Sequence, residues 1–248
     1  MGKGGDGSDL GPDRAAHGAA VIDDNARPEA KLAAAAVRRV DAPKSSASTE
    51  RLTDTPALLR LGYTRRDLDR VVELAGGRFD HPNDVRRVLD SIGYLDDWRE
   101  NYQIQSVRAS LHSNRITCID AAILSYGLLD LLPQVQRRLL AIHRRDQHGE
   151  ECGHCVTLWW TESGRIGAFS KSSFVGLGHR EATFKDEFAI AKSFAKAYID
   201  MGITPLYFGV TRLEEIAHGV DWRFNAGNLN ELSERLKERY EYAFELPS

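Results

Sequence analysis

The stretch from Cys118 to Leu132, CIDAAILSYGLLDLL, decides the fold that this sequence predicts. From Ile119 onward apolar residues occupy nearly every side of the predicted helix. A helix that is apolar all round is buried in a core. Pro133 ends the helix because proline cannot continue one. We therefore predict a central buried helix with Cys118 in its first turn.

Strands follow this helix. We predict them at residues 137–144 (RRLLAIHR), 154–160 (HCVTLWW) and 165–170 (RIGAFS), with a tight hairpin turn at residues 161–164 between the last two. These strands form a small antiparallel sheet on which the central helix packs. The predicted fold class is α+β.

Helices are predicted on both sides of this core. Before it, helices begin at Thr55-Pro56, Thr64 and His81-Pro82, and residues 95–112 form another helix or a broken pair. After it come a helix over residues 185–202, a strand after Pro205 and a final helix from Leu229, which Asn228 and Glu231 cap.

The first 50 residues differ in composition from the remainder. They are rich in Gly, Ala, Asp, Ser and Pro and contain no aromatic residue, so they cannot bury enough apolar area to offset their ordering entropy. We predict a disordered tail over 1–50 and one domain over 51–248. Within it we expect a helical part (53–112), a Cys-His core (113–213) and a C-terminal helix (228–246).

Composition narrows the class of protein. The 248 residues suffice for one sizeable core. A net charge of −3 with scattered arginines predicts no nucleic-acid partner. No apolar run is long enough for a membrane span, and three cysteines predict a reducing, cytoplasmic location. The oligomeric state is left open.

Cys118 is the candidate nucleophile. The first turn of a helix points free N–H groups and the positive end of a dipole at its sulfur, which favours the thiolate, and the same amides can stabilise an oxyanion. A cysteine nucleophile needs a base. We expect His154, which opens the middle strand, in that role; His143 and His148 are weaker candidates.

These motifs resemble a known family. The run RITCIDAAILSYGLL, then GHCVTLWW, then GRIGAFSKSS, is similar to the transglutaminase-like branch of the papain-like cysteine enzymes over roughly residues 110–200. The resemblance implies a papain-like core with Cys118 as nucleophile and His154 as base. It also implies an acidic residue at the end of the next strand.

The third position departs from that family. The strand ends at Ser170, where the family has an acid. A serine hydroxyl can accept a hydrogen bond from the imidazole and fix its tautomer, but it cannot stabilise an imidazolium as a carboxylate would. Asp120 projects to another side of the helix, so we expect it to serve as a first-turn acid or a buried hydrogen-bond partner.

Weaker candidates lie near this core. His112 and Asn114 precede the nucleophile, where an oxyanion donor or a turn residue would stand. Lys171 borders the expected cleft and is a candidate substrate contact. We expect no cofactor and no metal, and the predicted partner is a peptide or a small amide or thioester substrate.

The predicted function is cysteine-dependent acyl transfer, as a peptidase, a deamidase or an acyltransferase. A non-catalytic binding or scaffold protein on the same fold is the alternative that Ser170 motivates. A zinc site formed from His143, His148, Cys152, His154 and Cys155 is a further alternative, and a redox pair of Cys152 and Cys155 is another.

Overall fold

The computed structural model describes residues 61–96, 102–217, 219–225 and 227–244. All of them belong to the compact unit Ser48–Ser248. The predicted tail over 1–50 and the predicted helix at Thr55-Pro56 lie outside the described residues.

Helices and short strands precede and follow a central sheet. The helices are α1 (Arg65–Leu74), α2 (Pro82–Asp90), α3 (Val107–Leu111), α4 (Cys118–Leu129), α5 (Glu187–Asp200), α6 (Leu213–Ala217) and α7 (Leu229–Lys237). The strands are β1 (Gly93–Tyr94), β2 (Gln103–Ile104), β3 (Arg115–Ile116), β4 (Arg137–Arg145), β5 (Glu151–Trp160), β6 (Ile166–Phe169), β7 (Arg180–Phe184), β8 (Thr204–Thr211), β9 (Gly227–Asn228) and β10 (Tyr242–Ala243).

The sheet has six antiparallel strands in the order β10, β8, β4, β5, β6, β7. Two further short pairings lie outside it, a parallel one between β1 and β3 and an antiparallel one between β2 and β9. The fold class is α+β, as predicted, and the sheet is larger than the three-stranded one expected.

The two faces of the sheet pack against different helices. Leu139 and Ala141 of β4 belong to the core that contains α4. The intervening Leu140 and Ile142 belong to the core that contains α5. Successive side chains of a strand point to opposite faces, so the middle parts of β4 and β5 are buried on both sides, which explains the apolar run at residues 139–142 in β4.

Helix α4 is buried all round, as its composition predicts. It ends at Leu129, earlier than the predicted stop at Pro133. Thr117 and Asp120 form a capping box at its start. The Thr157 hydroxyl of β5 donates to the Ala122 carbonyl at 2.7 Å, which attaches the helix to the sheet.

Strand β5 begins at Glu151, three residues before the predicted start at His154. It continues the hairpin with β4, in which Arg145 lies opposite Glu151. The Asp146 carboxylate closes the turn by accepting from the N–H groups of His148 and Glu150. His154 is therefore an interior residue of its strand.

The prediction of a helix or broken helix pair over residues 95–112 is mostly wrong. The described part contains β2 and then only the short α3, which Ser106 caps by accepting from the N–H of Ala109 at 3.2 Å. The Gln105 N–H donates to the Asp120 carboxylate at 2.8 Å. This long-range bond holds the chain in a non-helical path before Ser106.

Most other boundaries agree with the sequence to within a few residues. The hairpin turn closes through the Thr161 N–H and the Arg165 carbonyl, with Gly164 at a φ of 75°. The predicted extent of the C-terminal helix, 228–246, is wrong, because α7 ends at Lys237 and Tyr242–Ala243 pairs with β8 as β10. The sequence did not predict α6 or the strands β1, β2, β3, β7, β9 and β10. Within the described residues no helix combines the length and the apolar content that a membrane crossing requires.

Candidate active site

Cys118 is the first residue of α4 and is only 3% exposed. Its sulfur accepts hydrogen bonds from the backbone N–H groups of Cys155 and Ile119. Pairing between β5 and β6 stops at Thr157 and Phe169, so the N–H of Cys155 has no partner strand on that side. The sulfur of Cys118 occupies this gap at the edge of β5.

Burial dominates the acidity of this thiol. Loss of hydration raises the pKa of Cys118 to about 12, although both N–H donors and Arg144 act in the opposite direction. The helix N-terminus was expected to favour the thiolate, but the charged sulfur loses more solvation than the amides return. In the resting site Cys118 is a neutral thiol.

His154 lies on β5 and is buried among aromatic side chains of α5. Its ring centroid is 6.2 Å from that of Phe194 and 6.4 Å from that of Tyr198. Burial lowers the pKa of His154 to about 3, and the positive charges of Arg144 and Arg180 lower it further. The imidazole is therefore neutral at physiological pH.

Cys118 and His154 both line two cavities. A cavity of about 180 Å³ is lined by both residues and by side chains from several elements, including Tyr94, Asp96, Arg144 and Tyr198. A larger cavity of about 750 Å³ is lined by Cys118, by residues 150–155 and by residues of β8 and α7. The thiol thus lies where an apolar groove reaches the neighbourhood of the imidazole.

Ser170 fixes the tautomer of His154. The Ser170 hydroxyl donates its only proton to the Leu177 carbonyl at 2.5 Å. Its oxygen lies 2.9 Å from Nε2 of His154, so Nε2 must carry the hydrogen and donate it. Nδ1 is left with a free lone pair, which is the state that a general base requires.

A carboxylate lies further along the same set of bonds. The Ser170 N–H donates to Nδ1 of His179 at 3.1 Å, so Nε2 of His179 donates to Asp90 Oδ1 at 3.1 Å. Two hydrogen-bonded residues, Ser170 and His179, thus separate the negative charge of Asp90 from His154. It orders the neighbourhood of Ser170 without contacting the imidazole of His154.

The weaker candidates lie elsewhere. Nε2 of His112 is 3.1 Å from Asp67 Oδ1, and this ring lines a separate cavity beside α1. Asn114 is exposed, and its backbone carbonyl accepts from Gly93. Lys171 donates to the Leu89 carbonyl at 2.6 Å. The structure does not bring these three to the thiol.

Asp120 is a buried hydrogen-bond partner, as the sequence indicated. Its carboxylate accepts from the N–H and hydroxyl of Thr117, from the Gln105 N–H and from the Tyr102 hydroxyl. It thereby joins the start of α4 to the chain before α3. Asp120 holds the helix that carries Cys118 in position.

The cysteines of β5 do not form a pair. Cys152 and Cys155 lie in one continuous strand, so their Cα atoms are about 10 Å apart. This distance exceeds the limit of roughly 7 Å for a disulfide. His154 points to the opposite face from Cys155, and His143 contacts Glu151 at 2.8 Å. Within the described residues no group of three or more His, Cys, Asp or Glu side chains could hold a metal ion.

No protein-family model and no curated protein sequence matches this chain. Solved structures of LapG from Legionella pneumophila are similar to it. The calcium-bound form has 14% identity and a TM-score of 0.36, and the match covers 73% of this chain and 96% of that chain. The EGTA-treated form has 14% identity and a TM-score of 0.35, with 73% and 94% covered.

A further LapG structure has 13% identity and a TM-score of 0.34, with 73% of this chain and 92% of that chain covered. Scores of this size are too low to support a functional assignment. The interpretation below therefore rests on the site's own geometry.

Two neighbours of this site, Arg144 and His179, were not identified from the sequence. Arg144 lies in a strand of mixed apolar and basic residues, and only the strand register brings its side chain to Cys118. His179 lies in the loop between β6 and β7. Neither carries a local motif, so no sequence signal distinguished them from surface residues.

Proposed function

We propose that this protein is a cysteine-dependent acyl-transfer enzyme in which Cys118 is the nucleophile and His154 the base. The observation that carries the proposal is the shared cavity that a buried thiol and a neutral imidazole with a free Nδ1 both line. The likeness of the Cys118, His154 and Ser170 segments to the transglutaminase-like family agrees with these roles.

The chemistry starts from a neutral pair. As sulfur attacks the carbonyl carbon of an amide or thioester, the thiol proton moves to Nδ1 of His154. The N–H groups of Ile119 and Cys155 become available to the oxyanion of the tetrahedral intermediate. The imidazolium then protonates the leaving group, and an acyl-Cys118 thioester forms.

A second reaction releases the acyl group. Water or an amine gives its proton to the neutral His154 as it attacks the thioester, and the thiol is regenerated. Water as acceptor corresponds to a peptidase or deamidase, and an amine corresponds to a transferase. Ser170 keeps Nε2 protonated through both steps, so every proton that His154 accepts or donates is exchanged at Nδ1.

The second candidate function is a non-catalytic binding protein on the same fold. Ser170 stands where an acid is expected, and two arginines oppose a positive charge on His154. Those features favour a site that binds a carbonyl compound without turning it over. The 750 Å³ groove beside Cys118 would then be the binding site.

Acyl-enzyme trapping tests the proposal. Brief incubation with an aryl thioester should transfer the acyl group to Cys118, as located by peptide mass spectrometry, and the acyl group should be lost on longer incubation. Cys118→Ala should abolish the modification. Cys152→Ala, which removes a partly exposed thiol from the same groove, should leave the modification unchanged.

Two outcomes would contradict acyl transfer. One is acylation that falls on Cys152 in the wild-type protein. The other is a wild-type protein that binds the thioester reversibly but never forms acyl-Cys118, which would favour the binding protein.

A further inference from the structure

Arg144 has no carboxylate partner at the centre of the site. It lines both cavities that Cys118 and His154 line. Its guanidinium carbon lies 5.3 Å from the ring centroid of Tyr198 and 5.7 Å from that of Phe174. Its Nε is buried without a hydrogen-bond partner.

The other arginines of β4 are paired. Arg137 contacts Asp130, Arg138 contacts Glu187 at 3.2 Å and Arg145 contacts Glu151. Within the described part of the chain no carboxylate forms an ion pair with Arg144. Arg144 is half-buried, and removing part of a guanidinium from water without a counter-ion costs free energy that a negatively charged ligand would offset.

The carboxylates near Arg144 do not pair with it. Asp96 lines the smaller cavity with Arg144, but it accepts from the Ser173 hydroxyl at 3.1 Å. Glu151 borders the larger cavity and is bound by His143 and Arg145. Asp146, in the adjacent turn, accepts from the N–H groups of His148 and Glu150. Glu150 borders the larger cavity and is exposed to solvent. Within the described residues none of these four carboxylates forms an ion pair with Arg144, so its charge is available to a molecule that enters the cavity.

We propose that Arg144 binds a carboxylate on the acyl group of the substrate, close to the carbonyl that Cys118 attacks. This inference rests on the proposed function and specifies its substrate class, which is an amide or thioester whose acyl part is anionic. The planar guanidinium matches a carboxylate through two parallel hydrogen bonds, and its cation–π contacts with Tyr198 and Phe174 help to hold it in place.

Such a substrate also supplies the negative charge that Ser170 cannot provide to His154. The groups in contact with His154 are Ser170 and the rings of α5, and the cations Arg144 and Arg180 oppose a positive charge on it. Asp96, Glu150 and Glu151 border the cavities that His154 lines. Among the described residues, no carboxylate forms a hydrogen bond or an ion pair with the imidazole of His154. A bound carboxylate on Arg144 places a negative charge beside His154 when it must accept the proton, so the substrate itself completes the site.

Two alkylating probes that differ in one charged group test this inference. Iodoacetate and iodoacetamide both lose iodide as the sulfur of Cys118 forms the new S–C bond, and only iodoacetate carries a carboxylate. The quantity measured is the ratio of their rate constants at Cys118, from peptide mass spectrometry. Arg144→Gln should lower this ratio about tenfold, the factor for a lost charge-assisted pair of about 1.4 kcal/mol.

Matched variants complete the test. Arg66→Gln makes the same charge change on an exposed face of α1 and should leave the ratio unchanged. Arg144→Lys keeps the charge without the planar fork and should give an intermediate ratio. This variant keeps the test decisive if Arg144→Gln does not fold.

The outcomes separate the two proposals. Equal ratios in the wild-type, Arg144→Gln and Arg144→Lys proteins overturn the carboxylate site, even if Cys118 is reactive. If His154→Gln leaves both rate constants at their wild-type values, His154 is no base and the proposed function fails, whatever the ratio.

Discussion

Replacing His154 with glutamine is expected to slow the acylation of Cys118 at pH 7 by about a thousandfold, within the range typical for loss of a general base. The thiol of Cys118 has a pKa of about 12, so the thiolate is scarce without a proton acceptor. Glutamine retains a side chain that can bond to Ser170 but has no basic nitrogen. Single-turnover acylation by an aryl thioester, followed by mass spectrometry, measures the effect.

His143→Gln is the matched control for this experiment. His143 lies on the adjacent strand, lines the larger cavity and is held by Glu151, yet it has no role in the proposed mechanism. Its replacement should change the acylation rate by less than about threefold, as expected of a residue that does not act on the transition state. Comparable losses in both variants would contradict the assignment of His154 as the base.

The second large effect is on acid stability. Burial holds the pKa of His154 near 3 in the folded protein, against 6.5 for an exposed histidine. Between pH 7.5 and 5 the unfolded chain takes up a proton that the folded protein does not. The wild-type protein should therefore lose about 2 kcal/mol of unfolding free energy from His154 over this range, at about 1.4 kcal/mol per pH unit below 6.5.

Urea denaturation at pH 7.5 and pH 5 measures this loss. The His154→Gln variant should not show the loss of about 2 kcal/mol that comes from His154. The His148→Gln variant, changed at an exposed turn, should show the same loss as the wild-type protein. The pKa of His179 is also lowered by burial, so a smaller loss of the same sign persists in every variant. The same pH dependence in His154→Gln and the wild-type protein would show that the ring of His154 is solvated rather than buried.

The sequence predicted the centre of this fold well, because its signals there are local. The all-round apolar composition of α4 requires burial, and Pro133 limits its extent. The strands around His154 and Gly164 follow from apolar runs and a turn signal. The same apolar pattern placed Cys118 at the helix start, and the family resemblance indicated Ser170 as the partner of His154.

Other features depend on contacts between distant residues. The path before Ser106 is set by the carboxylate of Asp120, and no local pattern encodes that bond. The face to which Arg144 points depends on the register between β4 and β5. The thiol pKa expected at a helix start was reversed because burial removes water from the sulfur, and burial depends on the whole fold.

The pH profile of single-turnover acylation tests the central claim most directly. If a neutral thiol passes its proton to a neutral His154, the wild-type rate should stay constant between pH 5 and pH 9, because the pKa values of about 3 and about 12 both lie outside that range. His154→Gln should instead react through free thiolate, with a rate that rises about tenfold per pH unit. A wild-type rate that also rises tenfold per pH unit would contradict the account, since Cys118 would then react as an isolated thiol.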